Sequence, residues 1–550
     1  MTRPVLLGGY AAKSCARATH NTYDHTVPRQ PTQVPDQLQA LFDLGNDHEA
    51  VVFETWLTAS TDVVDLRHLD GDKHAHIHET LEAMRAGRPV VLGGRLPDDI
   101  AGGRTGKPDV LLREARGAGY HPGDAKAHLV LDKKTTGGLV ADLLNPPLAA
   151  ATTRDLGLRY DPRDLLQLAH YWRMLQACGH QASAPWGAIV GTDPGPAPLL
   201  AWYDLTQALF ATFSRSKGKT SRSSLQRYDH EHDFRVRVAQ TAQQRSGAPT
   251  DPEPLVQPIG QVECLTCSWA PVCVDMLPAG DLTRELRGTL SVREYLALHQ
   301  QGVATVDDLA GADIDALLDS PYADETSHQH GRARRLHKAH VSAQLARDGM
   351  VLRLKPGAVF DVPRGDVEID LDMECTRESR VYLWGVLVTQ DGVSTYTGFG
   401  DMTVDGDVAE LAVATRCFDW LVANHPGALV YHYAPVEKSH ATRILGAAIA
   451  SYAGTVADPA SWIDLLPATR ACLESRDGLG LKVVATEGAG FHWRDEDPGG
   501  LQSQDWLDAA RAGDNKSWQR ILDYNEDDVR ATLAVRQFLT HTGATKGPSI

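Results

Sequence analysis

Three cysteines stand close together in the run Cys264-Leu-Thr-Cys267-Ser-Trp-Ala-Pro-Val-Cys273. Thiols at this spacing, flanked by Trp269 and Pro271, suit ligands presented by a tight loop, and such a site needs a fourth donor. The candidate is Cys15, in Lys13-Ser14-Cys15-Ala16-Arg17. A metal group held by all four would tie residue 15 to residue 264 and clasp the chain between them into one domain. Zinc and an iron–sulfur cluster both accept four thiolates, and spacing alone does not separate them. Cys178, Cys375, Cys417 and Cys472 are isolated in apolar or mixed stretches and read as small buried hydrophobes.

Two carboxylates and an ammonium lie inside that clasp. Pro108-Asp109 opens the apolar run Val110-Leu-Leu-Arg113, and Asp124-Ala-Lys126 follows. In a strand, residues i and i+2 share a face, so Asp124 and Lys126 project together and converge with Asp109. Carboxylates suit a hard divalent cation such as Mg2+. The lysine can position or polarise a water while the metal stabilises charge on a phosphate. Asp132-Lys133-Lys134 offers a second Asp-x-Lys after the more strand-like Leu129-Val-Leu131, and the residues alone leave both open. Further on, Gln167 and Tyr171 are spaced i, i+4 and share a helix face. Arg215, Lys217, Lys219, Arg222 and Arg227 form a basic stretch among Gly and Ser, expected to order on meeting phosphates.

The second half holds another acidic pattern. Val367-Glu-Ile-Asp370-Leu-Asp372-Met-Glu374 alternates, which places Asp370, Asp372 and Glu374 on one strand face. Carboxylates in such a row are costly unless solvated or bound to metal. Glu437 opens a helix after the strand Ala428–Tyr433, and Tyr524 and Asp528 are spaced i, i+4 on a late helix.

The elements that must position these residues follow from periodicity. Residues 35–58 read as a helix containing His48. Strands are expected at 89–93, 108–113, 127–132, 186–191 and 199–203, with a helix over 164–175. Residues 280–347 are helical in pattern, turning at Gly302, with a basic segment at Arg332, Arg334, Arg335 and Lys338. The polar stretch 319–330 reads as a loop. From about residue 365 the order is strand, strand, strand, helix (407–424), strand, helix.

Taken in order, Cys15, His48, Asp109, Asp124-x-Lys126, Gln167-x3-Tyr171 and Cys264-x2-Cys267-x5-Cys273 resemble the RecB-type PD-(D/E)XK nucleases with an iron–sulfur clasp, such as the CRISPR-associated RecB-like exonucleases. The resemblance covers residues 1–278. It implies a [4Fe–4S] cluster on Cys15, Cys264, Cys267 and Cys273, with zinc as the alternative. It also implies metal binding by His48, Asp109 and Asp124, catalysis by Lys126, and support from Gln167 and Tyr171. That family places its Asp-x-Lys after a Tyr-x-Pro-like turn, so Tyr120-x-Pro122 favours Asp124/Lys126 over Asp132/Lys134. Gly123 and Ala125 depart from the apolar β-formers usual there.

Residues 364–540 resemble the ribonuclease H-like DEDD exonucleases whose last motif is Tyr-x3-Asp. The resemblance implies that Asp372, Glu374, Glu437 and Asp528 hold two metals and that Tyr524 orients the attacking water. Glu437 stands where that family has Asp, and Asp370 is an extra acid expected in a supporting position. The two halves joined by a helical linker (279–348) also resemble predicted bacterial RecB-like nucleases, some of which are fused to helicases. No phosphate-binding Gly-x4-Gly-Lys-Ser/Thr loop is present, so a helicase would be a separate partner.

The expected architecture is α/β throughout: a restriction-endonuclease-like domain, a helical linker and a ribonuclease H-like domain. The expected activity is Mg2+- or Mn2+-dependent hydrolysis of DNA, at single strands or ends, in repair, recombination or defence. A ribonuclease, or a nucleic-acid-binding scaffold with impaired sites, is the alternative. A chain of 550 residues is too long for one core, which agrees with several domains. Its net charge of −17 argues against a protein that coats nucleic acid over its whole surface, while leaving room for a local basic groove. With no apolar run long enough to span a bilayer and no signal-peptide core, the chain reads as cytoplasmic, where disulfides are not expected.

Overall fold

In the computed structural model, which describes residues 3–29, 36–60, 62–193, 198–214, 216–360, 362–495 and 502–544, the chain divides into two units. One comprises Met1–Asp308 with Ala312–His337, the other Leu309–Gly311 with Lys338–Ile550.

Alternating apolar side chains build a mixed eight-stranded sheet in the first unit. Its order is Val63–Asp65, Val90–Leu92, Val110–Arg113, Tyr120–Ala125, Trp186–Val190, Leu199–Asp204, Gly138–Asp142 and Thr152–Arg154. The period of two sorts the core. Val90, Leu92, Val110, Leu112, Ala188, Val190 and Trp202 pack against Val52, Phe53 and Trp56 of the helix Asp36–Ala59. On the opposite face, Val91, Leu111 and Tyr120 meet Tyr171, Met174 and Leu175 of the helix Pro162–Ala177. Asp161 caps that helix, accepting from Arg163 N, and Pro162 occupies its first turn.

The strand expected at 127–132 is reduced to Leu131–Asp132, paired with Gly157–Leu158. The central strand is Tyr120–Ala125, antiparallel to Val110–Arg113 and parallel to Trp186–Val190. His, Pro and Gly disguised it. Pairing on both sides overrides their weak propensity, which is the usual outcome when a segment is enclosed in a sheet. Gly123 has a steric reason: a Cβ there would lie 2.5 Å from Val110 Cγ1, its register partner.

The first unit continues through short helices that include Leu282–Glu285, Val292–Gln300 and Pro321–Glu325. The last replaces part of the loop expected at 319–330. Ser320 caps it and Tyr322, fully buried, anchors it, so one aromatic outweighs its polar neighbours. Arg335 is held 2.7 Å from the buried Glu294, which removes it from the exposed basic row.

The second unit is built on a five-stranded sheet in the order Val393–Gly400, Val381–Gln390, Val367–Cys375, Leu429–His432, Ile463–Asp464. The first two pairings are antiparallel and the last two parallel. Ile369 and Leu371 join a core with Val413, Phe418 and Leu421 of the helix Asp407–Asn424. The alternate residues Glu368, Asp370, Asp372 and Glu374 meet side chains of the helix Asn515–Ala544.

That acidic face is held by two arginines, Arg536 and, at Glu368, Arg364. Arg536, with no exposed side-chain surface, lies 2.8 Å from Asp370 Oδ2 and also pairs with Glu368. Asp370 is therefore engaged in a buried ion pair and does not support the neighbouring acids as expected. Burial still dominates it: the carboxyl is pushed up to about 6, with Arg536 pulling the other way. Arg536→Ala strands the buried Asp370 and leaves Glu368 to Arg364 alone, and a loss of about 3–5 kcal/mol is expected. Chemical denaturation at pH 7 measures it, and Asp370→Asn in that background should recover part of the loss.

Candidate active sites

In the first unit, Asp109 and Asp124 come from adjacent antiparallel segments. Asp109 Oδ2 accepts from Ala125 N at 3.0 Å, and Lys126 Nζ lies 2.7 Å from Asp124 Oδ2. Beyond Lys126 and the Asp109 carboxyl, the buried oxygens of Asp124 find no hydrogen-bond partner among the described residues. Burial, then the charge of Asp124, pushes the Asp109 carboxyl well above its ordinary range. Burial works against the Lys126 ammonium, but Asp124 and Asp109 outweigh it and raise its pKa. Two buried carboxylates beside one lysine make a donor set of the hard kind that suits Mg2+ or Mn2+.

Gln167 and Tyr171 reach this group from the helix Pro162–Ala177. Gln167 Oε1 accepts from Lys13 Nζ at 2.7 Å and lies 3.4 Å from Lys126 Nζ. Tyr171 is raised by burial and then by Asp124 and Asp109, and it hydrogen-bonds Gln167. His48 stands beside the group: its Nε2 is 3.2 Å from Val190 O, the carbonyl that also accepts from Lys126 N at 2.9 Å. Its neighbour Glu49 is raised, by burial first and with Asp124 contributing. Asp132 instead uses a carboxylate oxygen to cap Lys134 N at 3.0 Å, and Lys133 and Lys134 are exposed.

Sequence reasoning missed Lys13 and Glu49. Lys13 also sits 4.0 Å from the Tyr10 ring centroid, and burial followed by Lys126 lowers it to about 8. Their adjacency to Cys15 and His48 was the available signal. Most of the basic stretch lies on a hairpin, Ala208–Ser214 with Gly218–Ser223, whose register shifts between Ala208 and Phe210, while Arg227 lies on the helix Ser224–Ala242. Lys217 and Lys219 are exposed and Arg222 is half-buried; Arg227 lies over the Phe210 ring at 4.9 Å. Arg215 lies outside the described residues.

The four cysteines gather although 249 residues separate the first from the second. Gln261 touches two of them, with Nε2 3.6 Å from Cys15 Sγ and its backbone N 3.4 Å from Cys264 Sγ. Cys15 N donates to Glu263 at 3.0 Å, and Asn21 Nδ2 lies 3.6 Å from Cys273 Sγ. Burial raises the Cys267 and Cys273 thiols, and the charges of Cys15 and Cys264 raise them further. No three of these sulfurs lie within 4.8 Å of one another. Tetrahedral zinc–thiolate geometry requires sulfurs roughly 3.8 Å apart.

In the second unit, Asp372, Glu374 and Asp528 each place a ligand atom within 4.8 Å of the other two. Burial, then Asp528, Glu437 and Glu374, raises Asp372 well above its ordinary range. Burial and Asp528 push Glu374 up to about 8, while a Ser503 hydrogen bond and Lys482 pull it down. Asp528 is pushed up to about 6 by burial, against a 2.8 Å hydrogen bond from Trp493 Nε1 and the charge of Lys482. Buried acids that raise one another in this way suit a divalent cation, and all three donors are hard oxygens.

The helix Asn515–Ala544 aligns the cluster. Tyr524 hydrogen-bonds Asp528, and burial followed by that charge raises its phenol. Asn525 Nδ2 donates to Asp372 Oδ2 at 2.9 Å and Oδ1 accepts from Tyr396 Oη at 2.9 Å. Gly385 permits this approach: a Cβ there would fall 1.7 Å from Asn525 Oδ1. Sequence reasoning overlooked Asn525, although it separates Tyr524 from Asp528. Glu437 stands outside the triad, with Oε2 3.2 Å from His432 Nδ1. The turn before it carries Ala434 at φ +76°, whose N–H donates to Asp464 at 3.0 Å.

A family model described as RNase_H superfamily matches residues 369–540. The second unit thus carries a ribonuclease H-like domain, and all of Asp372, Glu374, Glu437, Tyr524 and Asp528 lie in the matched span. No curated protein and no solved structure matches the chain. None of the described helices is long and apolar enough to cross a membrane.

The raised acids set a pH dependence. Unfolded, Glu374 and Asp528 release their protons near 4.5 and 3.8; folded, they keep them to about 8 and about 6. Between those limits the metal-free folded state binds more protons, so stability falls as pH rises. A divalent cation competes with those protons and binds more tightly at higher pH. Melting with and without Mn2+ at pH 5.5, 7 and 8 should show stabilisation growing with pH, to about 2.7 kcal/mol at a hundredfold excess over Kd.

Proposed function

We propose that the chain is a metal-dependent nuclease that hydrolyses phosphodiester bonds of DNA, with single strands or ends as substrate. The observation that carries this reading is the Asp372–Glu374–Asp528 triad beside Tyr524 in a ribonuclease H-like domain. Bound divalent cations would supply an activated water and neutralise charge on the phosphate. Asp372, Glu374 and Asp528 would hold them. Asn525 and Ser503 fix the rotamers of Asp372 and Glu374. Tyr524, anchored on Asp528, would orient the attacking water, and Glu437 would join only by leaving His432.

The first unit is read as a second hydrolytic centre of PD-(D/E)XK type. Asp109 and Asp124 would hold the metal and Lys126 would orient water, with Gln167 and Tyr171 positioning the lysine. Lys217, Lys219, Arg222 and Arg227 would track the phosphate backbone. The order of motifs that resembles the iron–sulfur RecB-type nucleases supports a [4Fe–4S] cluster rather than zinc on Cys15, Cys264, Cys267 and Cys273.

An assay on end-labelled single-stranded DNA with Mg2+ or Mn2+ tests this, using anaerobically purified protein. Asp528→Asn and Lys126→Ala should each remove one component of cleavage by about a hundredfold or more, the scale of losing one preorganised electrostatic contact. The double variant should be inert. Cleavage unaffected by either change would overturn the site assignments. Cleavage of RNA alone would make the protein a ribonuclease, and an inert wild type would make it a scaffold. Iron and sulfide analysis should find the cluster in wild type and not in Cys264→Ser; one zinc per chain would refute the cluster.

A further inference from the structure

We propose that Lys482 forms a phosphate-binding site beside the Asp372–Glu374–Asp528 triad and contacts the phosphodiester that is cut. This rests on the nuclease reading of the second unit and adds to it a residue that no carboxylate motif includes. Lys482 belongs to the short helix Leu481–Glu487. Its Nζ lies 5.3 Å from the Tyr524 ring centroid and 5.8 Å from that of Trp493. Both rings are fastened to Asp528, Trp493 through its indole N–H at 2.8 Å and Tyr524 through its hydroxyl. The ammonium is thus set between two aromatic faces at the rim of the triad, and its charge bears on both Glu374 and Asp528.

Other cations of this region are committed to acids outside the triad. Arg536 is engaged by Asp370 and Glu368, Arg494 by Asp527 and Glu526, and Arg530 by Glu526. The charge of Lys482 bears on the acids that would meet the substrate. A phosphodiester brought to three carboxylates meets like charge, and a nearby ammonium offsets it. Lysine is a compact point charge and a common phosphate ligand.

In the hydrolysis, a water oxygen bonds to phosphorus and the bond from phosphorus to the leaving sugar oxygen breaks. One water proton passes through solvent to that leaving oxygen. Negative charge on the phosphoryl oxygens grows towards the transition state, so a fixed ammonium there stabilises it more than the ground state. Lys482 exchanges no proton and acts only as the fixed charge.

The test uses the full chain carrying Lys126→Ala, so that cutting reports on the second unit. Lys482→Met should lower kcat by about a hundredfold, with Lys482→Arg recovering to within about tenfold of the reference. Mn2+ affinity, read from the melting shift, should be unchanged or tighter in Lys482→Met. With Ca2+ in place of Mn2+, a short oligothymidylate should protect Lys482 from reductive methylation, read by peptide mass spectrometry. Unchanged kcat in Lys482→Met, or an unprotected Lys482, overturns the proposal. Equal loss in Met and Arg variants with lowered melting temperature assigns the residue to packing and also overturns it. If the reference does not cut yet the oligonucleotide protects Lys482, the nuclease reading fails and the phosphate site stands.

Discussion

Four acids on one face of a single strand are the constraint around which the second unit is arranged. Glu368, Asp370, Asp372 and Glu374 follow at every second residue, and each would be expensive to bury alone. The helix Asn515–Ala544 resolves them in two different ways. Near its C-terminal end, Arg536 pairs with Glu368 and Asp370, and Arg364 supplies the second positive charge at Glu368. About two to three turns earlier it brings Asn525, Tyr524 and a further acid, Asp528, against Asp372 and Glu374. One half of the strand face is internally compensated; the other is left with excess negative charge that only protons or a cation can relieve. The same helix that stabilises the sheet therefore also assembles its acidic cluster.

The first unit treats buried acids differently. Asp124, beside Asp109, pairs with Lys126, and Lys126 is tied on to Gln167. Gln167 in turn receives Lys13, two residues before Cys15. The turn that presents a cysteine thus also presents a cation to the carboxylate group. Close backbone approach makes this possible, since a Cβ at Gly9 would meet Tyr171 Oη at 3.4 Å and one at Gly106 would meet its ring at 2.6 Å.

Small residues recur where a side chain must approach a strand closely. Gly385 admits Asn525 and Gly123 admits Val110. The backbone strain at Ala434 belongs to the same theme. It lies in the turn that carries the chain from His432 to Glu437, and the Asp464 carboxylate holds it. These positions carry no chemistry of their own, yet they determine where the chemistry can sit.

Much of the site chemistry was legible because it is local. The i, i+2 pairs Asp124/Lys126 and Asp372/Glu374, the i, i+4 pair Tyr524/Asp528 and the cysteine spacing depend only on strand and helix periods. The helix Asp407–Asn424 was legible for the same reason. Partners drawn from distant elements were not. Only the tertiary structure decided that Asp124/Lys126 lies beside Asp109 while Asp132 caps a turn, and that Asp370 is neutralised by Arg536, 166 residues away. It alone placed Lys13 on Gln167, and Lys482 and Trp493 beside Asp528. The strand Tyr120–Ala125 was hidden because its neighbours on both sides, rather than its own His, Pro and Gly, make it a strand. Periodicity reports which face a residue takes; charge compensation and burial depend on what folds against that face, which no local pattern encodes.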